Sequence, residues 1–171
     1  MYQLLFLTLC LMLHTVVNIS TSYGQEQCEE LINEVTILEE RATNAYNRMN
    51  FQQSTPAFYQ AADLYEKINV FPGCSKIPLP FNPLVKADKY REMAAESRAF
   101  ELFKNAKIQY TAGENFGRNQ QWKEATKAFE DAAITWEYAA ELTTHNENQK
   151  KALQSAKQAR DLAKRAAIFH E

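Results

Sequence analysis

Residues 112–132 read AGENFGRNQQWKEATKAFEDA. Small side chains at Gly113, Ala125 and Ala132 are interleaved with large rings at Phe116, Trp122 and Phe129. On both sides of Asn119-Gln120-Gln121 the spacing is three and four residues, the period that keeps side chains on one face of an α-helix. The stretch therefore predicts two helices joined by a short turn, with Asn119 as the cap of the second. Gly113 and Ala125 would sit where the helices touch, since only small side chains permit close approach there. The three rings would fill the wedge beside them, and Ala132 would face a further helix.

The order of small residue, aromatic, turn, aromatic, alanine, aromatic, alanine resembles the tetratricopeptide repeat, a helix–turn–helix of about 34 residues. A weaker echo, Phe58-x-x-Ala61-x3-Tyr65-x-x-Ile68, resembles the second helix of the same repeat. Ala61 and Ala125 stand 64 residues apart, so the spacing is not a regular multiple of the repeat. The resemblance implies hairpins stacked around a groove that holds a peptide. Carried over residue by residue, the groove-facing positions of the first helix are Lys107, Tyr110, Glu114 and Arg118. The family's acidic-tail clamp places Lys and Asn where Tyr110 and Glu114 stand here, so that recognition is not implied.

Working outward, the rest of the chain also reads as helix. Leu31, Val35, Leu38, Ala42, Ala45 and Met49 mark a first helix over 27–51. Thr55-Pro56 reads as a cap followed by a first-turn proline, opening a second helix that ends before Pro72-Gly73. Asn82-Pro83 repeats the device and opens a third, uninterrupted by Gly or Pro through 84–112. Trp122, Ala125, Phe129, Ala132, Trp136 and Ala139 form the stripe of a fourth. Thr144 and Glu147 match a capping box before a fifth helix with Ala152, Ala156, Ala159, Ala163 and Ala166 on one face. The expected fold is all-α, about five helices packed as antiparallel hairpins, either a tetratricopeptide-like solenoid or a helical bundle.

The chain of 171 residues has four glycines and five prolines, too few for a turn-rich β fold. Its apolar run Leu4–Val17, followed by Ser22-Tyr23-Gly24, reads as a signal peptide over 1–24. No Lys or Arg precedes the run, and a retained anchor is the competing reading. Residues 25–171 are expected as one helical domain: an N-terminal hairpin (25–74), a proline-rich loop (75–83), and a tetratricopeptide-like hairpin with a C-terminal capping helix (84–171). Beyond the leader only Cys28 and Cys74 remain, and in an oxidising compartment they should pair. Helix lengths agree, because an antiparallel hairpin brings the two positions level. Closing that loop would contribute about 4 kcal/mol in the chain-entropy treatment.

Net charge is −2, without the basic field of a nucleic-acid binder. The charge is uneven: residues 25–68 balance to −5 and 145–171 to +3, as solvated helix faces ordinarily do. No phosphate-cradling glycine loop, nucleophile elbow or Cys-x-x-Cys occurs. His145 follows Glu141 without the further ligands a metal needs. The sequence thus predicts no enzyme, no cofactor and no metal. It predicts an exported, periplasmic or extracellular, module that binds a protein or peptide, with membrane contact only if the leader stays. The alternative is a structural, envelope-associated protein.

Overall fold

The computed structural model describes the backbone of residues 2–169 and the side chains of residues 23–169. It is all-helical, with no strand among the described residues. Five helices follow in order: α1 (Tyr2–Asn47), α2 (Phe51–Val70), α3 (Pro83–Arg118), α4 (Trp122–Leu142) and α5 (Asn146–Ala167), with a 3-10 turn at Cys74–Lys76 between α2 and α3. The side chains of residues 1–22, most of the leader on which the export reading rests, lie outside the described residues. Among the described residues no helix is long and apolar enough to cross a membrane.

Both short interhelical turns are built alike. After α1, Met49 adopts φ 56°, its N–H donates to the Tyr46 carbonyl, and Asn50 N–H reaches back to the Ala45 carbonyl. After α3, Gln120 at φ 59° donates to Gly117, and Gln121 N–H to Phe116. This paired pattern closes a helix by satisfying its last carbonyls, and it usually employs glycine because φ is positive. Here a methionine and a glutamine fill the position.

Three sequence expectations change as a result. α1 ends at Asn47, which leaves Met49 74% exposed rather than in the buried stripe. α2 begins at Phe51, so Pro56 lies inside it, and Thr55 hydrogen-bonds Ser97 instead of capping. Asn119 directly follows the last residue of α3, its N–H donating to the carbonyls of Asn115 and Phe116, while Gln121 precedes α4 without a side-chain cap. Counted from the two turns, Phe51, Ser54, Phe58 and Ala61 stand where Trp122, Ala125, Phe129 and Ala132 do. The two turns stand 71 residues apart, from Met49 to Gln120, against the 64 that separate Ala61 from Ala125. Asn82 caps α3 as expected: its side-chain oxygen accepts Leu84 N–H at 3.0 Å, with Pro83 as the first helical residue.

The chain divides into two compact units, residues 1–41 with 57–91, and 42–56 with 92–171. In the first, Leu31, Val35, Phe58, Ala61, Tyr65 and Ile68 are buried. Phe58 stacks on Tyr90, Tyr90 on Tyr65, and Tyr65 meets Phe81 edge-on. The Tyr65 hydroxyl donates to Glu39 at 2.6 Å, and Lys86 holds the same carboxylate oxygen at 3.5 Å. Cys28 and Cys74 stand at disulfide distance, Cα atoms 5.2 Å apart. Beside them a Cβ on Gly73 would lie 2.0 Å from the Gly24 carbonyl oxygen, so α1 passes over this loop too closely for any side chain.

The second unit has an alanine core. Ala132 and Ala133 of α4 meet Ala156 and Ala159 of α5, and Ala125 meets Ala163 and Ala166. Methyl groups at helical spacing let these axes approach, while larger side chains fill the flanks. Arg160 spans the pair, its guanidinium donating to both Glu137 oxygens at 2.8 and 2.6 Å. The capping box expected at the start of α5 is absent: the cap residue is His145, with no side-chain bond. The buried Glu96 of α3, 47 residues away, instead ties down the segment that leads into α5. It accepts the Thr143 hydroxyl at 2.8 Å, Thr144 N–H at 3.1 Å and the Asn148 amide at 3.3 Å. A carboxylate is favoured there because the free N–H groups of a helix start carry partial positive charge.

Candidate functional site

The second unit has an open cavity of about 400 Å³ where the end of α3, the start of α4 and the end of α5 converge. The turn at Gln120 fixes the mouth, because it sets Trp122 one short step from Gly117 and Arg118. Gly113 fixes the depth. A Cβ there would stand 2.8 Å from two carbons of the Phe129 ring, so glycine is what lets α3 and α4 close on each other. Gly117 leaves a second gap in the wall, its missing Cβ 3.7 Å from the Trp122 ring.

The lining is aromatic below and charged above. Tyr110 packs edge-on against Phe129, centroids 5.4 Å apart, and tilts against Trp136 at 5.5 Å. Burial, and then the Glu114 carboxylate, raise the Tyr110 phenol above its ordinary value, so at neutral pH it keeps its proton. On the other wall Trp122 faces Phe169 at 4.9 Å, an aromatic contact with one partner still 65% exposed. Glu114, Arg118 and Arg165 stand exposed around the rim. A pocket of this size, with apolar walls and few polar groups, has the dimensions that take one bulky side chain or a small ligand.

Of the four positions that the repeat's register singled out, the structure brings three together here: Tyr110, Glu114 and Arg118. Lys107 is separate. It lies a turn nearer the start of α3, is exposed, and borders another depression with Lys104, Ile108 and Thr111. The sequence reading missed the α5 wall of Leu162, Arg165, Ala166 and Phe169. No local signal announced it, since these residues join the site only through the alanine packing of α5 on α4.

Among the described residues no group of three or more His, Cys, Asp or Glu side chains is placed to hold a metal ion. Glu96, the most buried carboxylate in the second unit, has its oxygens taken up by Thr143, Thr144 and Asn148. Tyr65 and Tyr90 are pushed well above the tyrosine range, first by burial and then by Glu39, which fixes them as hydrogen-bond donors. The chain matches no protein-family model, no curated protein and no solved structure.

Proposed function

We propose that this protein is a non-catalytic, exported binding module of tetratricopeptide-like construction, which holds a peptide segment of another protein. The cavity between α3, α4 and α5 carries the reading: aromatic walls of Tyr110, Trp122, Phe129 and Phe169 beneath a rim of two arginines and one glutamate. Such walls accept an aromatic or large aliphatic side chain, whose burial supplies the affinity. Arg118 and Arg165 then favour an acidic group beside that side chain, because a guanidinium pairs with carboxylate through paired N–H bonds.

The test is selection from a random peptide library against the purified protein. Selected sequences should share a bulky apolar residue next to Asp or Glu. Their affinity should fall at least about tenfold in the double variant Arg118→Glu/Arg165→Glu. A library that returns no common motif, or peptides indifferent to that variant, would remove the reading.

A second reading, a structural component tethered to the envelope by its leader, is favoured by one observation. α1 continues without a break from Tyr2 through Gly24, whose carbonyl packs against Gly73. Mass spectrometry of the N-terminus in the native host separates the two, with Gln25 first in the exported module and Met1 retained in the tethered protein.

A further inference from the structure

α1 and α5 each bury one side and show the other to solvent, and the two solvent sides carry opposite charge. On α1, Glu26, Glu29, Glu30 and Glu40 are exposed, with Ile37 60% exposed among them. On α5, Lys150, Lys157 and Lys164 are exposed, with Leu153 50% and Ile168 72% exposed along the same side. None of these glutamates or lysines has an ion-pair partner among the described residues, whereas Lys151 pairs with Glu147 and Arg160 with Glu137.

The lengths match as well. Lys150, Lys157 and Lys164 recur every seven residues, which returns to nearly the same side of a helix. From first to last they span about 21 Å at 1.5 Å per residue. Glu26 and Glu40 are two sevens apart and span the same about 21 Å. Exposed Asp161 lies among the three lysines and exposed Arg41 beside Glu40, so each stripe is mixed but keeps a net charge, positive on α5 and negative on α1, with apolar side chains that can exclude water at its centre or ends.

From this complementarity we infer that a second copy of this chain docks its α1 face on the α5 face of the first. The contact pairs two unlike faces. Attraction between exposed charges is screened by salt, so the association forms at low ionic strength and dissociates as it rises.

Two charge-reversal variants of the full chain test the contact. One carries Lys150→Glu, Lys157→Glu and Lys164→Glu; the other carries Glu26→Lys, Glu30→Lys and Glu40→Lys. All six side chains are exposed, and circular dichroism checks that each variant keeps its helices. Sedimentation of the unaltered protein should show mass rising with concentration at about 0.01 M salt, where screening reaches about 30 Å. It should return to monomer near 1 M, where screening falls to about 3 Å. Each variant alone has two like-charged faces and should stay monomeric, while an equimolar mixture of the two should associate again. The inference is overturned if the unaltered protein is monomeric at low salt, if association persists near 1 M salt, or if the mixture stays monomeric. Monomeric protein that instead binds phosphatidylserine vesicles through the three lysines would assign the α5 face to a membrane surface and overturn it equally.

Discussion

Replacing Glu96 by alanine removes the acceptor that joins α3 to the α4–α5 corner. The carboxylate takes the Thr143 hydroxyl on both oxygens, at 3.0 and 2.8 Å, besides Thr144 N–H and the Asn148 amide. Thr143 is 7% exposed, so water cannot replace its lost partner, and a buried unsatisfied hydroxyl costs about 1–3 kcal/mol. Thr144 and Asn148 lie nearer solvent and recover part of their loss. The void left by the side chain adds to the cost, and Glu96→Ala should destabilise by about 2–4 kcal/mol altogether. Glu96→Gln keeps the shape, and the Thr143 hydroxyl can turn to accept from the new amide, so that variant should lose only about 1 kcal/mol. Urea unfolding followed by tryptophan fluorescence reads the right place, because Trp122 and Trp136 both belong to α4. Adding Thr143→Val completes a double-mutant cycle, which isolates the coupling between the two side chains. Alanine and glutamine variants of equal stability, or a cycle with no coupling, would show that Glu96 does not hold this corner.

Other expectations follow from the same contacts. Gly113→Ala gains about 1 kcal/mol of helix propensity but forces a methyl against Phe129, a cost of about 1–3 kcal/mol, so thermal unfolding should come earlier; a stabilised variant would contradict the close approach. Gly73→Ala should disturb folding of a chain that retains Gly24, whose carbonyl the new methyl would strike, and should lose this penalty in one beginning at Gln25; equal effects in both would place the clash elsewhere. Tyr65 and Tyr90 have folded values raised above the ordinary 10, so the stability they contribute is present below that pH and is lost as pH rises toward their folded values. An ultraviolet alkaline titration should therefore show both phenols ionising only with unfolding, and ionisation of all eight tyrosines in the intact fold would refute this.

What the sequence made legible is mostly what local chemistry decides. Asn82-Pro83 announced the start of α3 and the alanine stripe announced the buried face of α5, while Gly113 was expected against Ala125 and stands instead against the Phe129 ring. The two turns were misplaced for one physical reason. Positive φ is usually signalled by glycine, and here Met49 and Gln120 adopt it, while Thr55-Pro56 and Asn119 offered more familiar start signals nearby. Glu96 gave no local hint, because its partners lie 47 or more residues away in sequence. Three of the four groove positions share the cavity because three- and four-residue spacing holds along any straight helix. Lys107 falls outside it because spacing fixes a face, not how far along the helix the neighbouring walls extend.

The binding assignment is tested most directly by backbone amide chemical shifts, recorded while a library-selected peptide is titrated into the labelled protein. Shifts should concentrate at residues 110–118, 122–129 and 162–169, the three segments that wall the cavity. The amides of Lys104 and Ile108 beside the separate depression should move little. Shifts that concentrate on α1 and α2, with the cavity segments unmoved, would contradict it.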